Sequence, residues 1–456
     1  MRSSRWGYPQ PDTEGCTIAS ARPGRNYRVM TSTSPTSTHG RATRGFLARR
    51  PSLALPARAI AALTLTAAAI IVAGLLEASP ATAARPSRGA LVSSKLLARI
   101  SQGRARQALV RLGIDPSQTK FAVVAYRLTY DTVTPRGGRT VASGLFVIPQ
   151  GAGRRLHIAD YEHGTQSARD QAPSAGTPND GFMSGLVLGS AGLAAVAPDY
   201  LGLGTGAGLH PYLDVPSEVT ASVDMLRAAR TFASQMHVTL DPRVQITGFS
   251  QGGAAALAIG RELQTHRDAG FRLAALAPIS GPYDLRGVEI PAALHERLDP
   301  TITPFYVGYL LTAWNRLYHL FPSWRTAFRS PYDHEVTWLY DGRHDAPEIA
   351  RALPASLTQL LTPIALTELA APAGRFARAL AASTVCTGWR PEVPVHLFAA
   401  SGDRTVPIAN ARYCRDALSN SGARVTLTDV GPVDHDQSAI LSVSRVAATF
   451  RRAAGL

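Results

Sequence analysis

The chain has 456 residues, with 47 Lys and Arg against 32 Asp and Glu, and a formal net charge of +15. Ten basic and three acidic residues precede Arg85, so the rest of the chain carries a net charge of only +8. No stripe of Lys and Arg interleaved with aromatic residues occurs there, which argues against nucleic-acid binding. The sequence also lacks an H-E-x-x-H motif and any His/Cys cluster, so we expect no metal and no other cofactor.

Residues 1–84 have the composition of a leader with an export signal. Basic residues up to Arg58 precede an apolar run over 59–76, and Ala81-Thr82-Ala83 then offers small residues where a signal peptidase reads. We therefore expect a secreted protein that begins near Ala84. The alternative is a membrane anchor formed by the uncleaved segment 59–76, because the run is just long enough to span a bilayer.

From residue 85 to 456, the order of strand and helix patterns predicts a single α/β domain. Two β-rich segments joined by a turn come first, and strands that alternate with helices follow. Such alternation produces a mostly parallel central sheet flanked by helices on both faces. The predicted strands are 122–133, 140–149, 156–161, 194–199, 244–247, 273–279, 393–400 and 425–430, and the predicted helices are 217–236, 253–265, 408–418 and 437–451.

The alternation is interrupted between about residues 286 and 390. This stretch is helical and amphipathic, is rich in aromatic residues and is punctuated by prolines. The pattern predicts an inserted helical cap. An apolar cap over the catalytic face would shape an acyl pocket, although most of its aromatic residues are expected to serve ordinary helix packing.

The motif with the clearest chemical meaning is Gly248-Phe249-Ser250-Gln251-Gly252, which lies between a predicted strand and a predicted helix. A strand that turns directly into a helix holds the serine at positive φ, and glycines on both sides avoid collisions between neighbouring β-carbons. This strain lifts the hydroxyl clear of the sheet. The motif therefore predicts a nucleophile elbow with Ser250 as the nucleophile.

A serine nucleophile needs a histidine to take its proton and a carboxylate to hold the imidazole. Chain order selects both partners. Asp403 follows the strand 393–400, and His435 lies between the last strand and the last helix, the positions that this architecture gives to the acid and the base. The rivals for the acid role are Asp429, Asp434 and Asp436.

The tetrahedral intermediate of acyl transfer needs backbone N–H donors for its oxyanion. One donor is expected from Gln251, the residue after the nucleophile. The second is expected from the loop after the strand 156–161, where an H-G motif makes Gly164 and Thr165 the candidates. We expect His163 in the same motif to support the loop.

Cys386 and Cys414 are the only cysteines after residue 84, and they flank the predicted strand 393–400. In an exported protein, two cysteines commonly make one bridge. We therefore expect a disulfide between them, with two buried free thiols as the alternative.

Several motifs together resemble the secretory lipase family (Candida lipase A type) of the α/β-hydrolase superfamily. The segments that carry the resemblance are 163–165, 172–174, 197–204, 210–213, 224–230 and the elbow. The resemblance runs from about Ala122 to the C-terminus, and in the cap it concerns only position and helical character. It implies an α/β-hydrolase fold and an exported carboxylic ester hydrolase with Ser250, Asp403 and His435 as its triad.

We therefore predict a secreted serine lipase or esterase that works through an acyl-enzyme intermediate. Its partner is expected to be a small-molecule or lipid ester, with transient contact with lipid interfaces. Two interpretations compete. A serine peptidase or aminopeptidase uses the same triad, but the carboxylate cluster for a substrate amine and the propeller-like partner domain are not evident. A catalytically inactive binding protein can also have this fold.

Overall fold

A computed structural model describes residues 87–176, 179–265 and 270–456. The predicted leader, its export signal and the alternative anchor over 59–76 lie outside the described residues. Within these three ranges, none of the helices combines the length and hydrophobicity that a membrane crossing requires.

The described residues are built around a nine-stranded sheet. The strands are β1 Leu91–Ile100, β2 Ala122–Val133, β3 Arg139–Gln150, β4 Arg155–Glu162, β5 Ala194–Pro198, β6 Thr239–Gly248, β7 Arg272–Leu276, β8 Val395–Ala399 and β9 Val425–Asp429. Their spatial order is β1-β2-β3-β5-β4-β6-β7-β8-β9. Strands β1, β2 and β3 are antiparallel to their neighbours. The other six strands, β4 to β9, are parallel to one another. This arrangement confirms the predicted α/β class.

Helices cover both faces of the sheet and form the cap. They are α1 Gln102–Arg111, α2 Asp180–Ser190, α3 Val215–Gln235, α4 Gln251–Thr265, α5 Ile290–Leu294, α6 Thr303–Tyr318, α7 Trp324–Ala327, α8 Tyr332–Leu339, α9 Ala346–Ala352, α10 Leu357–Leu360, α11 Pro363–Ala370, α12 Gly374–Ala382, α13 Ala409–Asn420 and α14 His435–Ala454. Short 3₁₀ turns occur at Pro116–Gln118, Arg169–Gln171 and Pro173–Ala175, and a π-helical turn spans Leu285–Glu289.

All eight predicted strands form, with ends that differ by up to five residues, but β1, α1 and α2 were not predicted. Strand β1 lies at the sheet edge and is largely exposed, so it shows no alternation of buried and exposed positions. Helix α2 contains three glycines, which are poor helix formers. A Cβ on Gly189 would lie only 2.6 Å from Val147 Cγ1, so close packing against β3 explains a glycine that local propensity disfavours.

Between β7 and β8 the chain forms the helical cap that the sequence predicts. The cap runs from the π-helical turn at 285–289 to the end of α12, and it has a hydrophobic cluster of its own. Phe305, Trp314 and Phe328 are at most 1% exposed within it. Most of the aromatic residues in the cap are therefore core residues.

Hydrogen bonds fasten the cap to the segment that precedes α3. Trp314 Nε1 donates to the carbonyl of Tyr212 at 3.0 Å, and Ser383 Oγ donates to the carbonyl of Leu213 at 3.2 Å. The side chains of Tyr212 and Leu213 also belong to the hydrophobic cluster of the cap. The cap is thus packed on the α/β core at the edge of the catalytic face.

Cys386 and Cys414 form the predicted disulfide. Both side chains are fully buried. The bond joins the segment after the cap to α13, so it ties the end of the insertion to the core. Closing a span of 28 residues stabilises a fold by about 3–4 kcal/mol in the chain-entropy account.

Candidate active site

Ser250 lies at the elbow between β6 and α4, with a φ of 56°. Its N–H donates to the carbonyl of Ile279 at 3.0 Å. A Cβ on Gly252 would lie 2.0 Å from the carbonyl oxygen of Glu162, and a Cβ on Gly248 would lie 2.2 Å from the carbonyl oxygen of Gly252. The backbone therefore requires glycine on both sides of the serine, as the sequence predicts.

The three residues predicted as a triad come together in one hydrogen-bonded line. His435 Nε2 lies 2.9 Å from Ser250 Oγ, and His435 Nδ1 lies 2.6 Å from Asp403 Oδ2. The serine is 5% exposed, the aspartate 6% and the histidine 7%. Because β6, β8 and β9 end at the same edge of the parallel sheet, their following segments meet although they are far apart in sequence.

The orientation of Asp403 is fixed by its second oxygen. Oδ1 accepts hydrogen bonds from the N–H groups of Thr405 at 2.8 Å and Val406 at 2.9 Å. This leaves Oδ2 for the imidazole. A carboxylate at Nδ1 favours the tautomer with its proton on that nitrogen, so that Nε2 of His435 is free to accept the proton of the serine hydroxyl.

Two opposing influences set the charge of His435. Burial favours the neutral imidazole and is the largest of them, but the charge and the hydrogen bond of Asp403 oppose it, with smaller contributions from Asp436 and Asp434. Together they raise the pKa of His435 above its ordinary value. The site thus stabilises an imidazolium, the state that forms when the histidine takes a proton.

The three rival carboxylates have other environments. Asp429 Oδ1 accepts from the N–H groups of Gly431 at 2.9 Å and of Ser401, after β8, at 3.0 Å. Asp434 caps α14 by accepting from the backbone of the third helical residue at 2.8 Å. Asp436 lies in the first turn of the same helix, where burial raises its pKa. Among the described residues, only Asp403 makes the hydrogen bond to His435 Nδ1.

Gln251 is the first residue of α4, so its backbone N–H has no acceptor within the helix. Two hydrogen bonds hold its side chain in place. Nε2 of Gln251 donates to Glu218 Oε1 at 2.7 Å and lies 3.0 Å from His210 Nε2. These contacts position the residue that the sequence predicts as the first oxyanion donor.

The network under Gln251 consists of neutral groups. His210 Nδ1 lies 2.9 Å from the carbonyl of Leu201 and must donate to it, so His210 Nε2 accepts from Gln251. Burial lowers the pKa of His210 to about 3 and raises the pKa of Glu218 to about 8. Glu218 could not be predicted as part of the site, because no local pattern in the sequence connects it to an elbow 32 residues away.

Gly164 is one of the two residues that the sequence predicts as the second oxyanion donor. Its backbone N–H donates to Asp180 Oδ2 at 2.8 Å, so it is already engaged. A Cβ there would lie 3.0 Å from Phe249 Cδ1, which shows why glycine fits this position. Gly164 therefore shapes the loop beside the elbow, and its N–H is already bonded to a carboxyl group.

Thr165 remains the candidate for the second donor. It is half-buried, and its Oγ1 donates to the hydroxyl of Tyr212 at 3.1 Å. Tyr212 in turn lines the cavity at Ser250. His163 is fully buried and packs its ring 4.3 Å from that of Tyr200, in agreement with the supporting role that we expected.

A cavity opens beside Ser250, between the catalytic face and the cap, with an empty volume of about 590 Å³. Its wall is mostly apolar. The aliphatic residues that line it are Leu213, Leu285, Ile290, Ala293, Leu298, Val307, Leu310 and Val406. Among the described lining residues, Glu289 has the only carboxyl group. An apolar wall of this kind suits a hydrocarbon chain.

Groups of three or more His, Cys, Asp or Glu side chains that could hold a metal ion do not occur in the part of the chain that the structure describes. The hydrogen-bonded line of Ser250, His435 and Asp403 has a geometry that is suited to nucleophilic catalysis.

No protein-family model and no curated protein matches this chain. Solved structures do match it. A presumed hydrolase from Legionella pneumophila gives a TM-score of 0.72 at 26% identity over 80% of this chain and 98% of that chain. The ligand-bound rice cell wall degrading esterase LipA from Xanthomonas oryzae gives 0.71 at 28% identity with the same coverage. Candida antarctica lipase A in its closed state gives 0.60 at 16% identity over 80% and 82%.

The sheet, the elbow and these neighbours define the chain as an α/β-hydrolase. The neighbours above 25% identity include a presumed hydrolase and an esterase, and the lipase shares the fold. The chain is therefore similar in structure to an esterase and to a lipase, and it has the α/β-hydrolase fold that the sequence motifs predicted.

Proposed function

We propose that this protein is a serine carboxylic ester hydrolase, a lipase or carboxylesterase, with Ser250, His435 and Asp403 as its triad. One observation carries the proposal: His435 Nε2 lies 2.9 Å from Ser250 Oγ while Asp403 holds its other nitrogen at 2.6 Å. The apolar cavity at the serine and the esterase among the structural neighbours support an ester with a hydrocarbon acyl group.

In the proposed reaction, Ser250 Oγ attacks the ester carbonyl while His435 Nε2 takes its proton. Asp403 stabilises the imidazolium. The imidazolium then protonates the leaving alcohol, and an ester between the acyl group and Ser250 remains. A water molecule, activated by the same imidazole, releases the acid and restores the serine.

The backbone N–H groups of Gln251 and Thr165 are the proposed donors to the oxyanion of both tetrahedral intermediates. The N–H of Gln251 lies at the start of α4, where the helix dipole also favours negative charge. Removal of one oxyanion donor typically costs about 10²–10³-fold in rate.

The function is tested with the purified protein and p-nitrophenyl esters of graded acyl length, beside a p-nitroanilide of matched acyl group. Ester hydrolysis should dominate, with a length optimum set by the cavity. Cleavage of the anilide at a comparable rate would favour a peptidase. A lack of turnover on every substrate would favour a binding protein of this fold.

The rate should depend on the raised pKa of His435. A protonated imidazole cannot take the proton of Ser250, so kcat/KM should fall as the pH drops through that pKa. Because the pKa is raised, the midpoint of this decrease should lie above the ordinary value of 6.5. Asp436→Asn removes a nearby negative charge and should move the midpoint to lower pH. A midpoint well below 6.5 in the wild type would contradict the assignment.

Export through residues 1–84 is part of the proposal and rests on the sequence. The mature protein should be recovered outside the cytoplasm with an N-terminus near Ala84 and with Cys386 and Cys414 bridged. Intact-mass measurement with and without reduction checks both points. An uncleaved chain would favour the anchor over 59–76, and two freely alkylated thiols in the unreduced, denatured protein would exclude the bridge.

A further inference from the structure

The cavity at Ser250 contains a polar group that hydrolysis of a plain fatty ester does not need. Glu289 ends the π-helical turn at 285–289 and is only 9% exposed. Its neighbours in the cavity wall include Leu285 and Ile290. Burying a carboxyl group in an apolar wall is unfavourable unless it is hydrogen-bonded, so its presence there calls for a partner.

The protein supplies a hydrogen-bond donor for one of the two carboxyl oxygens. Glu289 Oε1 accepts from Asn410 Nδ2 at 2.6 Å. Asn410 is held in turn, because its Oδ1 accepts from the N–H of Asp284 at 3.0 Å and its Nδ2 lies 3.3 Å from the carbonyl of Pro407. The carboxyl group is therefore fixed in position. Among the described residues, no hydrogen bond to Glu289 Oε2 is found, and Glu289 lines the cavity.

The surroundings of Glu289 favour the neutral carboxyl group over the carboxylate. Burial, and then the nearby carboxylate of Asp403, raise the pKa of Glu289 well above its usual range, and Asp284 adds to the effect. A neutral carboxyl group has both a donor and an acceptor to offer. It suits a neutral oxygen-containing group better than a cationic amine.

We propose that Glu289 recognises a hydroxyl or carbonyl oxygen on the acyl chain of the substrate, so that the cavity prefers oxygenated acyl groups to plain alkanoyl groups of equal length. This inference rests on the proposed ester hydrolysis. A plain chain would leave the carboxyl group without its second partner, and sites built to hydrogen-bond a substrate group discriminate against the analogue that lacks it. We expect a preference of about 10- to 100-fold in kcat/KM, smaller than in fully closed sites because water can enter.

The test compares p-nitrophenyl hexanoate with its 3-hydroxy, 6-hydroxy and 5-oxo derivatives. The wild type should prefer at least one oxygenated ester by about tenfold or more. Glu289→Gln keeps the size and the hydrogen-bonding capacity, so it should retain most of this preference. Glu289→Leu should lose the preference and gain rate on the plain ester. Glu335→Leu, at a half-buried cap glutamate outside the cavity lining, is the matched control and should behave as wild type.

The outcomes separate this inference from the proposed function. If the wild type cleaves plain and oxygenated esters equally, the inference is wrong and ester hydrolysis stands. If it cleaves none of them, both are wrong. An equal loss on all esters in both Glu289 variants would mean that Glu289 only holds Asn410 in place. A preference for the 6-amino derivative over every oxygenated ester would indicate an ionised carboxylate and would also overturn the inference.

Discussion

Ser250→Ala should lower ester hydrolysis by about 10⁴-fold or more and leave the fold nearly unchanged. The variant removes the atom that lies 2.9 Å from His435 Nε2 and that would attack the ester carbonyl. Alanine has the same Cβ as serine, so the φ of 56° at the elbow adds no new strain. The loss of one hydrogen bond should cost about 1 kcal/mol. Single-turnover and steady-state rates on a p-nitrophenyl ester, together with thermal unfolding, measure both effects.

Ser280→Ala is a matched control for that variant. Ser280 is also a buried serine with positive φ, at 44°, and it follows the neighbouring strand β7. Its Oγ contacts Ser438 Oγ at 2.7 Å and does not contact the imidazole of His435. The control should retain most of the activity. If Ser250→Ala kept even a tenth of the wild-type rate, Ser250 would not be the nucleophile.

The three side chains that we propose as the triad could be predicted to meet, because each depends on a local signal. A strand, an elbow and a helix are contiguous in sequence around Ser250, and Asp403 and His435 follow strands whose order along the chain is regular. In a parallel sheet, the ends of these strands must share one edge. The cap could be predicted as an interruption of the same alternation.

Contacts between residues that are far apart in the chain could not be predicted from the sequence. Asp180 occupies the N–H of Gly164 from the start of α2, a glycine-rich helix that forms only because it packs on β3. Glu289 appears in the sequence as one more charged residue of a helical segment. Only the fold shows that Asn410 holds it in an apolar cavity beside Ser250.

Asp403→Asn and His435→Ala should each lower activity by about 10⁴-fold, yet neither should add much to the loss in Ser250→Ala. The three side chains act as a unit, since the proton of Ser250 must pass to His435 and the resulting charge is stabilised by Asp403. Asparagine would place either an oxygen or an N–H₂ group opposite Nδ1 of His435. An N–H₂ group there requires Nδ1 to accept, so the imidazole proton moves to Nε2, which can then no longer accept the proton of Ser250. Rates of the single and double variants form a double-mutant cycle that measures this coupling.

Asp434→Asn makes the same chemical change next to the imidazole and serves as the control for Asp403→Asn. Asp434 is exposed and caps α14 through the N–H of Gln437, and asparagine caps a helix about equally well. The control should therefore keep its stability and most of its activity, with a small decrease in the pKa of His435 because one negative charge is lost. An active Asp403→Asn variant beside an inactive Asp434→Asn variant would transfer the acid role to Asp434. Full additivity in the cycle would show that the three residues do not share one proton-transfer step.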